Sequence, residues 1–167
     1  EEETKRGFIE PLFLALGWDI STKTDVSMEE SQSGGRVDYG FYLDGRIKFY
    51  LEAKKLSSDL HNEDYAKQAI RYSWNKGVDW AVLTDFESLK IFYCQDPAQN
   101  LFSKLVFEIP VNEYIERFDQ LWLLSKLSVQ EKGLEIYARD HGKMMQKISV
   151  GAQLYKHLNE CRELLIE

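Results

Sequence analysis

Two apolar-aromatic runs, Val37 to Leu43 and Ile47 to Ala53, flank Asp44-Gly45, and no other feature constrains the fold as strongly. Asp-Gly between alternating runs is the signature of a tight β-hairpin. On its second strand, Tyr50, Glu52 and Lys54 face one side of the sheet while Leu51 and Ala53 face the other. A carboxylate and an ammonium therefore share one space. The pattern Glu-any-Lys carries nothing by itself. It also occurs at Glu3-Thr4-Lys5, where a helical reading puts the two side chains on different faces.

Asp38 on the partner strand supplies the context, provided the register is right. A two-residue type I′ loop of Asp44-Gly45 would set Asp38 opposite Leu51, on the wrong side from Glu52. A three-residue loop, Leu43-Asp44-Gly45 with the glycine as a bulge, sets Asp38 opposite Tyr50 and diagonal to Glu52 at about 7–8 Å. The chemistry thus predicts the three-residue loop. Asp38 and Glu52, the backbone carbonyl of Ala53 and waters would make a hard, oxygen-only site suited to Mg²⁺, with Mn²⁺ as a substitute, and unsuited to zinc. An ion held there beside Lys54 suits phosphodiester hydrolysis: it polarises the phosphate and acidifies a water that the lysine orients.

The other elements assemble around this hairpin. Apolar residues at helical spacing predict a helix over Thr4 to Leu16, ended by Gly17. Trp18 to Val26 reads as a strand and Ser31 to Gly35 as a flexible loop. Asn62 with Glu63 and Asp64 starts a helix that Gly77 closes. Asp79 to Thr84 and Leu89 to Cys94 read as short strands. The result is a mixed α/β sheet flanked by helices. On the Asn62 helix, Gln68 and Tyr72 lie one turn apart on the face of Tyr65 and Ala69 and can pack over the strand end that carries Lys54. From about Val111 the pattern is helical only, with Tyr114, Phe118, Leu121 and Trp122 spaced for one helix and Met144 to Leu165 for a long last one. The division predicted is a nuclease unit over residues 1–108 and an all-helical connector over 109–167.

Lys+Arg number 21 against 28 Asp+Glu, a formal charge of −7, and most of the excess acid lies in the first two thirds. Such a balance opposes tight non-specific DNA binding, which comes from cations neutralising phosphates. Cys94 and Cys161 are too few and too far apart for a disulfide framework or a cysteine zinc site. No apolar run approaches the roughly 20 residues that span a bilayer. A reducing, cytoplasmic compartment fits. The chain begins Glu1-Glu2-Glu3 without Met and reads as an excised piece of a larger protein.

Four blocks taken in order resemble a known family: Gly35-Arg36-Val37-Asp38-Tyr39, Leu51-Glu52-Ala53-Lys54-Lys55-Leu56, Gln68-Ala69-Ile70-Arg71-Tyr72, and Gly77 to Thr84. With Phe8 to Leu12 and Ala15 to Trp18 before them, they resemble the N-terminal PD-(D/E)xK endonuclease domain of type IIG and type I restriction-modification enzymes. The resemblance covers about residues 4 to 94. It implies a restriction-endonuclease-like fold, Asp38 and Glu52 as metal ligands, Lys54 as catalytic lysine, and Gln68 with Tyr72 as an auxiliary motif. Glu10 stands where relatives place a helix-borne acid that reaches the metal. Val37 replaces the proline of the family's name, which supplies no ligand. The resemblance implies double-stranded DNA as substrate, with other domains or subunits supplying target recognition and methylation, and transient pairing of nuclease domains for cutting both strands. S-adenosylmethionine would enter only through a methyltransferase domain beyond this chain, which lacks the glycine-rich loop. Arg36, Lys55 and Arg71 are candidate DNA contacts beside the metal. The competing readings are a nuclease of repair or recombination, and a catalytically dead nuclease fold used for binding. A dead fold has no reason to keep Asp38, Glu52 and Lys54 together.

Overall fold

The structure is a computed structural model, and it describes residues 1–32, 35–95 and 100–144. Six strands form one sheet in the order β1 to β6: Val26–Gln32, Gly35–Leu43, Arg46–Ala53, Trp80–Thr84, Ser88–Tyr93 and Leu105–Pro110. Every neighbouring pair is antiparallel except β3 and β4. Parallel neighbours need a crossover, here the helix Glu63–Asn75. Before the sheet, the chain is α-helical over Glu2–Thr4 (α1), π-helical over Lys5–Ile9 and α-helical again over Glu10–Ala15 (α2). The crossover helix is α3, and α4 spans Leu101–Lys104.

Alternation along the buried strands sends side chains to two cores. In β4, Trp80 and Val82 join Phe41, Phe49 and Leu51 on the side of the N-terminal helices, where Ile9, Phe13 and Trp18 complete the cluster. Ala81 and Leu83 face the other way and pack with Ala66, Ala69 and Ile70 of α3. The start of α3 is capped as its sequence predicts: the Asn62 side chain accepts from the Asp64 amide at 3.0 Å, and the chain leaves the helix through Gly77 at φ +67°.

The hairpin corrects the expected register. Leu43 pairs with Arg46, so Asp44-Gly45 is a two-residue loop, with φ of +53° and +71° as a type I′ turn requires. The register then shifts, because Tyr42 pairs with Ile47 but Phe41 with Phe49, leaving Lys48 as the extra residue of a β-bulge. Below the bulge Gly40 pairs with Tyr50 and Tyr39 with Leu51. The β2–β3 pairing runs to Tyr39 and Leu51, and next to it the Asp38 side chain accepts from the Ala53 amide. The expected three-residue loop would set Asp38 opposite Tyr50; the bulge instead shifts the pairing the other way, so that Tyr50 faces Gly40 and Leu51 faces Tyr39.

Other expectations also change. Ser31, Gln32 and Gly35 are paired strand residues and not a loop, while Trp18 to Asp25 forms turns and β1 begins only at Val26. Strand β6 was hidden by its position just before the helical region. That region is a series of short helices in place of one long one: a 3₁₀ turn at Val111–Glu113, then α5 (Phe118–Trp122), α6 (Lys126–Gln130) and α7 (Gly133–Asp140). Extended Ser125 separates α5 from α6, its hydroxyl accepting from the Ser128 amide. Gly133 opens α7 where a Cβ would lie 2.1 Å from the Ser128 hydroxyl, so a larger residue would have to displace that side chain. The expected last helix falls almost wholly outside the described residues.

The helices after β6 pack onto the N-terminal side of the sheet, and Leu121, Leu124 and Leu134 share the cluster of Phe13 and Trp18. Trp18 is fully buried, edge-on to Phe41 and Phe49, and its indole N–H donates to the Leu124 carbonyl at 2.8 Å. Trp18→Phe leaves that carbonyl without its donor and opens a small void, so a loss of about 2 kcal/mol is expected from urea unfolding. Cys94 lies inside the α3-side core, where burial pushes its thiol up to about 12. It is therefore expected to resist alkylation at pH 8 until denaturant is added, as measured by mass spectrometry of the Cys94 peptide.

Candidate active site

The bulged hairpin brings Asp38 and Glu52 together at the end of β3, only 7% and 5% exposed. Asp38 is held at both oxygens: Oδ2 accepts from the Ala53 amide at 2.7 Å, and Oδ1 lies 2.6 Å from the Lys5 ammonium. Glu52 is met by Lys54 Nζ at 2.7 Å and by the Gln68 amide nitrogen at 2.8 Å, both on Oε1. Burial raises the Glu52 carboxyl above its ordinary range. The hydrogen bond from Lys54 opposes that shift, and the nearby charge of Asp38 adds to it. Lys54 is steered from behind by the Tyr65 ring, 4.6 Å from the ammonium, and its own amide donates to the Thr84 carbonyl of β4 at 2.8 Å. A carboxylate pair, an ammonium and a carboxamide thus converge from two strands and one helix.

The remaining candidates take different places. Tyr72 is buried between α3 and the sheet, packed edge-on against Tyr50 at 4.8 Å in a small cluster with Val37 and Val78. Its partner Tyr50 sits one alternation before Glu52 on β3. Glu10 accepts from the Tyr39 hydroxyl at 2.9 Å, one residue along β2 from Asp38. Burial, then the Glu10 hydrogen bond, raises the Tyr39 phenol well above its ordinary value, so the tyrosine stays a donor. The Ala53 backbone is engaged through its amide, the carbonyl having been the expected ligand. Arg36, Lys55 and Arg71 are exposed. Arg71 lines a cavity of about 430 Å³ with Lys67, Trp74 and Lys104, which has none of Asp38, Glu52 or Lys54 in its wall.

Sequence reasoning missed two residues here, Thr4 and Lys5. Thr4 is buried and its hydroxyl accepts from the Leu56 amide at 3.0 Å, tying the first helix to the loop after Lys54. Lys5 is 5% exposed and reaches across to Asp38 from the π-helical turn. The available signal was a lysine on a helix with no apolar neighbour at i+1, which any surface lysine shares.

Among the described residues no group of three or more His, Cys, Asp or Glu side chains is placed to hold a metal ion. Two carboxylates are nevertheless a donor set that fits Mg²⁺, which keeps several waters and is commonly bound by one or two carboxylates together with phosphate oxygens.

No family model matches the chain. The type II restriction enzyme and methyltransferase RM.Eco57I of Escherichia coli is 28% identical over 183 aligned residues, which take in 99% of this chain and 18% of that protein. The crystal structure of the type IIG restriction endonuclease BpuSI superposes with a TM-score of 0.50 at 18% identity, covering 79% of this chain and 16% of that one. A fragment described as an HsdR subunit of a type I restriction enzyme from Vibrio vulnificus YJ016 superposes with a TM-score of 0.46 at 17% identity, covering 72% and 25%. The chain spans about a fifth of the length of the curated relative it matches. Along nearly its whole length the chain is similar to one restriction enzyme, and it shares the restriction-endonuclease-like fold of another.

Proposed function

We propose that this chain is the metal-dependent DNA endonuclease domain of a restriction-modification enzyme, hydrolysing phosphodiester bonds in double-stranded DNA. The observation that carries the reading is the meeting of Asp38, Glu52, Lys54 and Gln68 in one buried-edge cluster. Residues 1–108 would supply this chemistry and 109–167 would connect it to domains that recognise and methylate DNA.

In this reading Asp38 and Glu52 would hold Mg²⁺, which when bound would supply Lewis-acid polarisation of a phosphate and a water of lowered pKa. The chain's own residues do the rest. Lys54 Nζ, 2.7 Å from Glu52 and backed by Tyr65, presents donors beside the site where negative charge grows on phosphate oxygens. Gln68 holds Oε1 of Glu52 from the helix side, which fixes the rotamer and leaves Oε2 outside both of these bonds. The Ala53 amide does the same for Asp38 through Oδ2. Glu10 is a positioning acid, acting through Tyr39 on the strand that carries Asp38. Tyr72 supports the strand below Glu52.

Lys54→Ala in the full-length protein is expected to lower plasmid cleavage by at least about 10²-fold, the usual scale for loss of one positioned group. Circular dichroism should show the fold retained, and cleavage at the parental rate would refute the assignment. Isothermal titration of Mn²⁺ into the chain should show binding that Asp38→Asn removes. Binding that survives in the variant would place any ion elsewhere.

A further inference from the structure

We propose that Lys5 is the built-in counter-ion of Asp38, a positioning residue whose ammonium a divalent ion must displace, with Glu1 and Glu2 receiving it. The inference rests on the metal reading of Asp38 and Glu52 given above. Lys5 Nζ lies 2.6 Å from Asp38 Oδ1, the oxygen that the Ala53 amide leaves available. A second cation cannot share that oxygen without repulsion, so binding of an ion through Asp38 is an exchange of cations.

Three features suit Lys5 to exchange. It is anchored, because Thr4 bonds to the Leu56 amide on one side and the wider π-helical turn begins at Lys5 on the other. Such turns are frequent at functional sites. It is enclosed, its side chain 6% exposed and in contact with three carboxylates, those of Asp38, Glu2 and Glu1. It has somewhere to go: Glu1 and Glu2 carboxylates lie 3.3 and 3.2 Å from the same Nζ, on its own helix face. A short swing exchanges Asp38 for carboxylates that already touch it, and the buried ammonium is never left without a partner.

The consequence is that Lys5 keeps metal affinity low. In the 167-residue chain, Lys5→Met keeps the length of the stem and removes the charge, and isothermal titration should show Mn²⁺ binding at least about tenfold tighter than in the parent. Lys5→Arg keeps the charge and should remain within about threefold of the parent. A residue that merely pins Asp38 predicts the reverse for methionine, weaker binding from a loosened ligand. Parental or weaker affinity in Lys5→Met therefore overturns the inference while leaving the metal reading intact. No Mn²⁺ binding by folded parent and folded Lys5→Met, with and without a short DNA duplex, overturns both. Should Lys5→Met fail to fold, Glu1→Gln with Glu2→Gln provides the second test. Loss of the receiving carboxylates should weaken Mn²⁺ binding several-fold at 0.5 M salt, where their long-range attraction for the ion is screened. Unchanged affinity there overturns the inference.

Discussion

A pair of carboxylates buried side by side needs positive charge close at hand, and that requirement ties the parts of this molecule together. Asp38 and Glu52 both have almost no exposure, and at Glu52 desolvation and the nearby Asp38 charge both oppose ionisation. Lys54 comes from the same strand as Glu52, Lys5 from the first helix and Gln68 from the crossover helix. Three elements that are distant in sequence are thus fastened at one point. Even so, Glu52 stays above its ordinary range, so its partners offset the burial only in part. Perturbed carboxyls of this kind cluster at functional sites and also occur in structural ion-pair networks.

The chemistry of the hairpin was legible because it depends on period-two alternation and on residue type. Asp38, Glu52 and Lys54 were placed together on that basis, and Gln68 through helical spacing. The register itself was not legible: Tyr50 faces Gly40 and not Asp38. Asp-Gly imposes the type I′ turn that its two positive φ angles favour, and the one-residue correction falls at Lys48, inside the strand. Nothing in Arg46-Ile47-Lys48-Phe49 marks a bulge locally. What required it was the demand that Asp38 and Glu52 meet, a constraint set by the whole site.

Tertiary contacts decide the remaining differences. Trp18 alternates with its neighbours as a strand residue would, yet it is a core plug whose indole is fixed by a carbonyl 106 residues later. The amphipathic spacing of Tyr114 to Trp122 is real, but the helix forms only from Phe118, after Arg117, and Ser125 and Gly133 separate the short helices that follow. Lys5 was the hardest residue to find. Its motif matched at Glu3-Thr4-Lys5 and was set aside on sound helical geometry, since the partner that matters, Asp38, lies 33 residues away.

The placement of the cations bears on how a nuclease with a net charge of −7 would work. Four lysines, Lys5, Lys54, Lys90 and Lys104, point inward to carboxylates or rings and are largely withdrawn from solvent. Arg36, Lys55 and Arg71 are exposed but dispersed along the chain. Affinity for DNA grows with the number of phosphates a protein neutralises, so under the proposed function this module relies on neighbouring domains to hold the duplex. An acidic surface and a lysine seated on Asp38 then act in the same direction. Under that function the surface would keep DNA affinity low and Lys5 would keep metal affinity low, and phosphate oxygens of a held duplex would raise metal affinity by sharing the ion's charge with Asp38 and Glu52.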